Sequence, residues 1–115
     1  MRRAGGGVIV NVTDAMLGRP DPRYLAYFAA KAGLAAATAA LARAFAPEVR
    51  VNAVAPGPVL APDGAPDAFR AAVAQATPLG RFGGEDAVAS AVLFLIGNDF
   101  VTGASVVVDG GRSRS

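Results

Sequence analysis

Three short apolar runs alternate with helix-forming segments along the chain. The first, VIVNV at residues 8–12, is rich in β-branched residues and lacks the alternation of a half-exposed strand. VRVNAVAPG at residues 49–57 and ASVVVDGG near the carboxyl end have a similar character, and the second run is broken by Pro56 and Gly57. These runs predict three strands that are covered on both faces.

The segments between the runs have helical composition. Residues 24–46 include twelve alanines and end before Pro47, which predicts one long helix. A short helix is predicted over residues 67–76, and another over GGEDAVASAVLFLIG, where Glu85 and Asp86 occupy the first turn. Because strands and helices alternate, the sequence predicts an α/β fold with parallel strands and right-handed crossovers.

The long helix has almost no polar face. Its main polar positions are Lys31, Thr38 and Arg43, whereas a helix that packs on one sheet normally has a polar stripe. We therefore expect a further surface to cover this helix. Eleven residues separate Lys31 from Arg43, fewer than the roughly 20 that a bilayer requires, so we expect no membrane insertion.

The composition indicates one small globular domain and excludes several functions. Of the 115 residues, 53% are hydrophobic and 17% charged, which is typical of a folded chain. The net charge is only +2 and the arginines are scattered, so we expect no nucleic-acid partner. Cysteine and histidine are absent, which excludes disulfides, imidazole bases and most zinc sites; we expect no metal. No export signal is evident, and we expect a cytoplasmic protein.

The only lysine of the chain follows a tyrosine by four residues. On a helix this spacing places Tyr27 and Lys31 on one face. A nearby ammonium group favours the phenolate and lowers the pKa of a tyrosine, which makes its hydroxyl a useful proton donor or acceptor. Taken alone, the spacing favours an ordinary surface pair, so the surrounding sequence must decide between the two interpretations.

Two further candidate sites follow predicted strands, at the edge where open α/β sheets bind ligands. Asp14 comes after the first strand, and Pro56, Gly57, Pro58 and Val59 come after the second. Taken alone, Asp14 is most simply an Asx turn and Gly57 an ordinary turn residue. A glycine at that position would also let a flat ligand approach the backbone closely.

In combination these motifs resemble the carboxyl-terminal half of a short-chain dehydrogenase/reductase. The resemblance depends on VIVNVTDA, on YFAAK with its tyrosine thirteen residues after Asp14, on VRVNAVAPGPV and on FVTGASVVVDGG, in this order. It implies an NAD(P)-dependent oxidoreductase in which Tyr27 donates a proton and Lys31 binds the nicotinamide ribose and lowers the pKa of Tyr27. It also implies that the backbone of residues 56–59 contacts the nicotinamide.

Departures from the family pattern narrow the expected function. Most members have serine where this chain has Asp14, and a carboxylate cannot simply replace a hydroxyl beside a carbonyl oxygen. Aspartate followed by Ala-Met, together with APGPVL and DGGR, resembles the pteridine and dihydromonapterin reductases. This implies that Asp14 and Tyr27 relay protons to a pterin, folate or other carbonyl or imine compound, with NADPH favoured over NADH. Ala61 lies near the place of a threonine that usually contacts the cofactor carboxamide, so that contact is in doubt.

The resemblance also predicts the architecture and the assembly. Residues 1–115 are expected to form a partial domain, the carboxyl-terminal portion of a Rossmann-type doubly wound parallel sheet, without the nucleotide-binding half. Its three strands should be neighbours, and the strand at residues 8–12 should have an unpaired edge. The helix at residues 24–46 should form a homodimer or homotetramer interface. Two alternatives stay open: a generic carbonyl or 3-oxoacyl reductase, and a non-catalytic dimerising module.

Overall fold

Three parallel strands form a single open sheet in the order β1-β2-β3, which confirms the predicted α/β topology. The structure is a computed structural model and describes residue 1 and residues 4–115. Single turns of 3-10 helix precede the long helix and end the chain. The strands and α-helices are β1 (Gly7–Val12), α1 (Leu25–Phe45), β2 (Val49–Pro56), α2 (Asp67–Gln75), α3 (Glu85–Gly97) and β3 (Ser105–Val108).

The central strand β2 is the most buried element. Val49 and Val51 form the core cluster with Ala42 of α1, which places α1 on one face of the sheet. The intervening Arg50 reaches the end of α3, so α3 lies on the opposite face, because side chains alternate along a strand. Coverage on both faces explains why the sequence of β2 shows no regular alternation of polar residues.

A fully buried asparagine ties β2 to the segment that leads into β3. Asn52 is 0% exposed. Its Nδ2 atom donates to the carbonyl of Val101 at 2.8 Å, and its Oδ1 atom accepts from the amide of Ala104 at 3.0 Å. Because both ends of the amide are hydrogen-bonded, burial of this polar side chain costs little. The contacts fix the start of β3 against β2.

Arg50 holds the carboxyl-terminal end of α3. Its Nη1 atom donates to the carbonyls of Leu95 and Val101 at 2.8 and 3.1 Å, and its Nη2 atom donates to the carbonyl of Ile96 at 2.9 Å. The last carbonyls of a helix lack partners within the helix, and the helix dipole favours a cation there. Arg50 therefore anchors α3 to the sheet.

The β1 strand lies at an edge of the sheet, as predicted. Within the part of the chain that the structure describes, β1 pairs with β2 alone, over Gly7–Val12 and residues 49–54. Its other side therefore presents backbone N–H and C=O groups without a strand partner.

The α1 helix is mostly exposed. Thr38 and Ala42 are its buried residues, and the side chain of Leu25 is 74% exposed. Among the described residues, one helix, Pro22–Phe45, has the length and the apolar composition that a membrane-spanning helix needs. A helix of a soluble fold can pass the same test. The hydrogen bond from Asn11 of β1 to Thr38, at 3.0 Å, and the packing of Ala42 assign α1 to the sheet.

Candidate functional site

The end of β1 is fixed to β2 on both sides of Asp14. The amide of Thr13 donates to the carbonyl of Val54 at 2.8 Å, and the amide of Ala15 donates to the carbonyl of Pro56 at 3.0 Å. Asp14 itself is half-buried. These two backbone hydrogen bonds hold the aspartate at the carboxyl edge of the sheet, where parallel α/β folds bind ligands.

The two carboxylate oxygens of Asp14 have separate partners. Its Oδ1 atom accepts from the amide of Met16 at 2.7 Å, which closes an Asx turn. Its Oδ2 atom accepts from the hydroxyl of Tyr27, also at 2.7 Å. The predicted Asx turn is therefore present, and the second oxygen of Asp14 contacts the candidate catalytic tyrosine.

Lys31 lies one helical turn beyond Tyr27, on the same side of α1. Its ammonium group donates to the carbonyl of Val12 at 2.7 Å and lies 5.9 Å from the centroid of the Tyr27 ring. An ammonium group has three N–H donors, so two remain for the hydroxyls of a sugar. The structure thus brings the three predicted catalytic residues together, from the end of β1 and the first two turns of α1.

The pKa of Tyr27 does not shift in the predicted direction. The hydrogen bond to Asp14, then burial and the negative charge of Asp14, raise the pKa of Tyr27 from 10.0 to about 12. The prediction that Lys31 lowers this pKa is wrong for this structure, because the adjacent carboxylate stabilises the protonated phenol and the ammonium group is engaged by Val12. At neutral pH, Tyr27 therefore holds its proton and can act as a donor.

A phenol titration tests this arrangement. We expect Asp14→Asn to lower the pKa of Tyr27 from about 12 towards its ordinary value, because the amide removes the negative charge. The measurement is phenolate absorbance against pH in a Tyr24→Phe background, where Tyr27 is the sole tyrosine. Because the folded-state pKa is raised, the stabilisation from this contact is fully present below pH 10 and is lost as the pH rises through about 12.

A matched control for the titration is Asp21→Asn. Asp21 lies seven residues after Asp14, but its carboxylate pairs with Arg23 at 2.7 Å instead of with a tyrosine. Its removal should leave the titration of Tyr27 unchanged. Equal titration midpoints for the parent and Asp14→Asn would contradict the assigned hydrogen bond.

The reason for glycine at position 57 differs from the sequence interpretation. A Cβ atom added at Gly57 would lie 2.5 Å from the Cβ atom of Asp109, a distance that real contacts do not allow. The amide of Gly57 donates to the carbonyl of Val108 at 2.9 Å. Glycine is thus required for close packing of the ends of β2 and β3, and the suggested approach of a flat ligand is not needed to explain it.

The rest of the predicted cofactor segment is tethered to the entrance of α3. The carbonyls of Pro58 and Val59 accept from the amides of Gly83 and Gly84, each at 2.9 Å. These contacts hold the segment at the same edge of the sheet as Asp14, since Pro56 already bonds the Asp14 turn. Residues 56–59 therefore lie at the carboxyl edge of the sheet, connected to the Asp14 turn through Ala15.

Sequence reasoning assigned no role to Asp109, which organises the carboxyl-terminal turn. Its Oδ1 and Oδ2 atoms accept from the amides of Gly111 and Ser113, both at 2.8 Å. Burial raises the pKa of the Asp109 carboxyl, but the hydrogen bonds from Ser113 and Gly111 outweigh this and hold the pKa below its usual value. The Asp-Gly-Gly motif was the available signal for such a turn.

The open parallel sheet is a portion of a Rossmann-type α/β fold, and a tyrosine, a lysine and a carboxylate lie at its carboxyl edge. A family model described as Enoyl-(Acyl carrier protein) reductase matches residues 1–113. The chain belongs to the short-chain dehydrogenase/reductase family, and this family uses a nicotinamide cofactor.

Known relatives agree with this assignment. The chain is 36% identical to the dihydromonapterin reductase of Klebsiella pneumoniae subsp. pneumoniae, covering 90% of this chain and 43% of the relative. It is 42% identical to the cis-4-hydroxycyclohexanecarboxylate dehydrogenase of Sinomonas cyclohexanicum, covering 96% of this chain and 47% of the relative. A solved apo SCOR enzyme from Clostridium thermocellum superimposes with a TM-score of 0.82 at 34% identity, over 94% of this chain and 42% of that chain.

The chain spans less than half the length of these relatives. These coverages agree with the prediction that the chain forms the carboxyl-terminal portion of the fold. The residues present fit a nicotinamide ribose, because Lys31 retains two unused donors beside the Tyr27 hydroxyl.

Proposed function

We propose that the whole protein is a cytoplasmic NADPH-dependent reductase of pterins or folates. The observation that supports this proposal is the 2.7 Å hydrogen bond from the Tyr27 hydroxyl to Asp14. An ionised carboxylate is only an acceptor, so it suits a ligand that presents N–H groups, as a pterin ring does, better than a bare carbonyl oxygen. The similarity to dihydromonapterin reductases agrees with this substrate class.

In the proposed reaction, Tyr27 donates its proton to the ring nitrogen next to the carbon that is reduced. When bound, the nicotinamide cofactor supplies the hydride. Asp14 orients the Tyr27 hydroxyl before transfer and accepts a hydrogen bond from the substrate ring. Lys31 would hold the ribose through the donors that its contact with Val12 leaves unused. Residues 56–59 line the nicotinamide side of the site.

A second candidate is reduction of a carbonyl or oxidation of an alcohol. The similarity to a relative named as a cis-4-hydroxycyclohexanecarboxylate dehydrogenase, at 42% identity, agrees with this candidate. In this case Asp14 would have only its structural role in the Asx turn, and Tyr27 would protonate the carbonyl oxygen.

The substitution Asp14→Ser separates the two candidates. We expect pterin reduction to fall on the order of 100-fold, because the carboxylate that orients Tyr27 and accepts from the ring is lost. The generic reductase predicts unchanged or increased carbonyl reduction by the same variant. The measurement is NADPH oxidation by an active preparation of the protein, with a dihydropterin as substrate in one assay and a simple ketone in the other. Asp21→Ser is the control, and full pterin reduction by Asp14→Ser would contradict the pterin proposal.

We also propose that α1 packs against the same helix of a second subunit. Leu25 is 74% exposed, and most of the alanines of α1 are exposed as well. Burial of apolar area is the main driving force for such association. A homodimer or homotetramer would cover the apolar face that the isolated chain leaves open.

A further inference from the structure

A part-buried hydrogen bond joins β1 to α1, about three helical turns beyond Tyr27. The side-chain amide of Asn11 donates through Nδ2 to the hydroxyl oxygen of Thr38 at 3.0 Å. Thr38 is 3% exposed, and its hydroxyl donates to the carbonyl of Leu34 at 2.8 Å. Because the bond to Leu34 uses the one proton of the hydroxyl, the oxygen of Thr38 faces Asn11 as an acceptor. The direction of this contact is therefore defined.

This hydrogen bond belongs to a row of three contacts that includes the candidate catalytic residues. The partners are Asn11 and Thr38, the carbonyl of Val12 and Lys31, and Asp14 and Tyr27. An α-helix has about 3.6 residues per turn, so the helical members of the row lie on one face of α1. A rotation or slide of α1 against β1 would therefore disturb all three contacts together.

The contact of Thr38 is the buried end of this row. The hydrogen bonds of Tyr27 and Lys31 are exposed to solvent, and the Tyr27 side chain is 44% exposed. Water can replace a lost partner at these two positions, so their loss costs little. Breaking the contact with Thr38 would leave the amide of Asn11 without its acceptor in a part-buried position, which costs more. The buried contact is thus the one best able to fix α1 against β1.

Apolar packing holds the far end of α1 on the sheet. Ala42, one turn beyond Thr38, packs in the core cluster with residues of β2. Apolar attraction is non-directional, whereas a hydrogen bond requires a definite distance and angle between its partners. Thr38 lies between this cluster and Lys31 on the helix. It therefore provides a directional contact between the packed end of α1 and the candidate site.

We propose that Asn11 and Thr38 are positioning residues, which fix the rotation and the axial position of α1 and thereby hold the Tyr27 hydroxyl in its hydrogen bond. Neither residue has to touch a substrate. If α1 were free to turn or slide against β1, the 2.7 Å contact between Tyr27 and Asp14 would lengthen. The consequence for turnover rests on the proposed reductase function, whereas the placement of Tyr27 does not.

Titration of the phenol in the full 115-residue chain tests this role. In a Tyr24→Phe background, Tyr27 is the sole tyrosine, and its pKa of about 12 reports the contact with Asp14. Valine has nearly the shape of threonine but offers no acceptor. We expect Thr38→Val to move the titration midpoint from about 12 towards 10.0, by at least about half a pH unit. Circular dichroism along the titration verifies that each variant is folded.

Asn11→Leu removes the same hydrogen bond from the strand side. It leaves the hydroxyl of Thr38 paired with Leu34, so it tests the contact even if Thr38→Val does not fold. The midpoint should fall in this variant as well. Thr38→Ser keeps the hydroxyl and should retain the parent midpoint.

Thr77 provides a matched control for the buried hydroxyl. Like Thr38, it is buried, at 2% exposed, and donates to the carbonyl four residues earlier, that of Val73, at 2.8 Å. It follows α2 and lies beside Gly110, outside the row of contacts. Thr77→Val should therefore leave the midpoint of Tyr27 unchanged, although it removes a comparable hydrogen bond.

A double variant shows whether the effect reaches Tyr27 through the carboxylate. If Thr38 acts by holding Tyr27 on Asp14, Thr38→Val should cause no further shift in an Asp14→Asn background. Additive shifts in the double variant would overturn the proposal. So would the parent midpoint in both Thr38→Val and Asn11→Leu, or an equal shift in Thr77→Val.

The result is separable from the fate of the proposed function, because no cofactor or turnover enters the titration. A lowered midpoint in a protein that reduces no pterin would retain the positioning role and remove its link to that reaction. Pterin reduction combined with an unchanged midpoint would remove the positioning role alone.

Discussion

Replacement of Tyr27 by phenylalanine is expected to lower the turnover of the active reductase by at least about 100-fold, since positioned general acids contribute on the order of 10² to 10⁴ in rate. The change removes the hydroxyl that donates to Asp14 at 2.7 Å and, in our proposal, protonates the substrate. The ring and its edge-to-face contact with Phe28 are preserved, so the fold should be retained. Turnover is measured as NADPH oxidation, with circular dichroism as the test of folding.

The other tyrosine provides a matched control for this experiment. Tyr24 lies three residues earlier, is 58% exposed and contacts Arg23 instead of the Asp14 group. Tyr24→Phe should keep the parent turnover. Full activity of Tyr27→Phe, or an equal loss in both variants, would show that the Tyr27 hydroxyl is not the proton donor.

Arg50→Met is expected to destabilise the chain by about 2 to 4 kcal/mol, which is large for a single substitution. Methionine retains apolar bulk, but the carbonyls of Leu95 and Ile96 lose the Arg50 donor, and the carbonyl of Val101 keeps its hydrogen bond from Asn52. The end of α3 then loses its connection to β2. Urea unfolding followed by circular dichroism gives the free energy of unfolding for each variant.

Arg43→Met is the control for this loss of stability. Arg43 lies in the last turn of α1 and is exposed, so its replacement should change the free energy of unfolding by no more than about 0.5 kcal/mol. If Arg50→Met and Arg43→Met unfold at the same urea concentration as the parent, Arg50 does not hold α3 to the sheet.

The elements were predictable because each has a local pattern. The β-branched run at residues 8–12, the alanine-rich run at residues 24–46 and the prolines and glycines that end each segment all act over a few residues. The helix Leu25–Phe45 differs from its prediction by one residue at each end. The Tyr27 and Lys31 pair was also local, since its spacing is one helical turn.

The features that could not be predicted from the sequence depend on contacts between distant segments. Arg50 reaches carbonyls 45 to 51 residues away, and no local pattern marks such a partner. The predicted direction of the Tyr27 pKa shift was wrong for the same reason. Helical spacing indicated Lys31 as the neighbour, whereas the fold brings the Asp14 carboxylate within 2.7 Å of the hydroxyl. The requirement for Gly57 likewise depends on Asp109, a residue of another strand.

The free side of β1 gives the sheet a template for strand addition. A parallel strand from a separate polypeptide could dock along Gly7–Val12 through backbone hydrogen bonds, which are indifferent to which chain supplies them. Strand addition of this kind would make the association of the two chains depend on protein concentration.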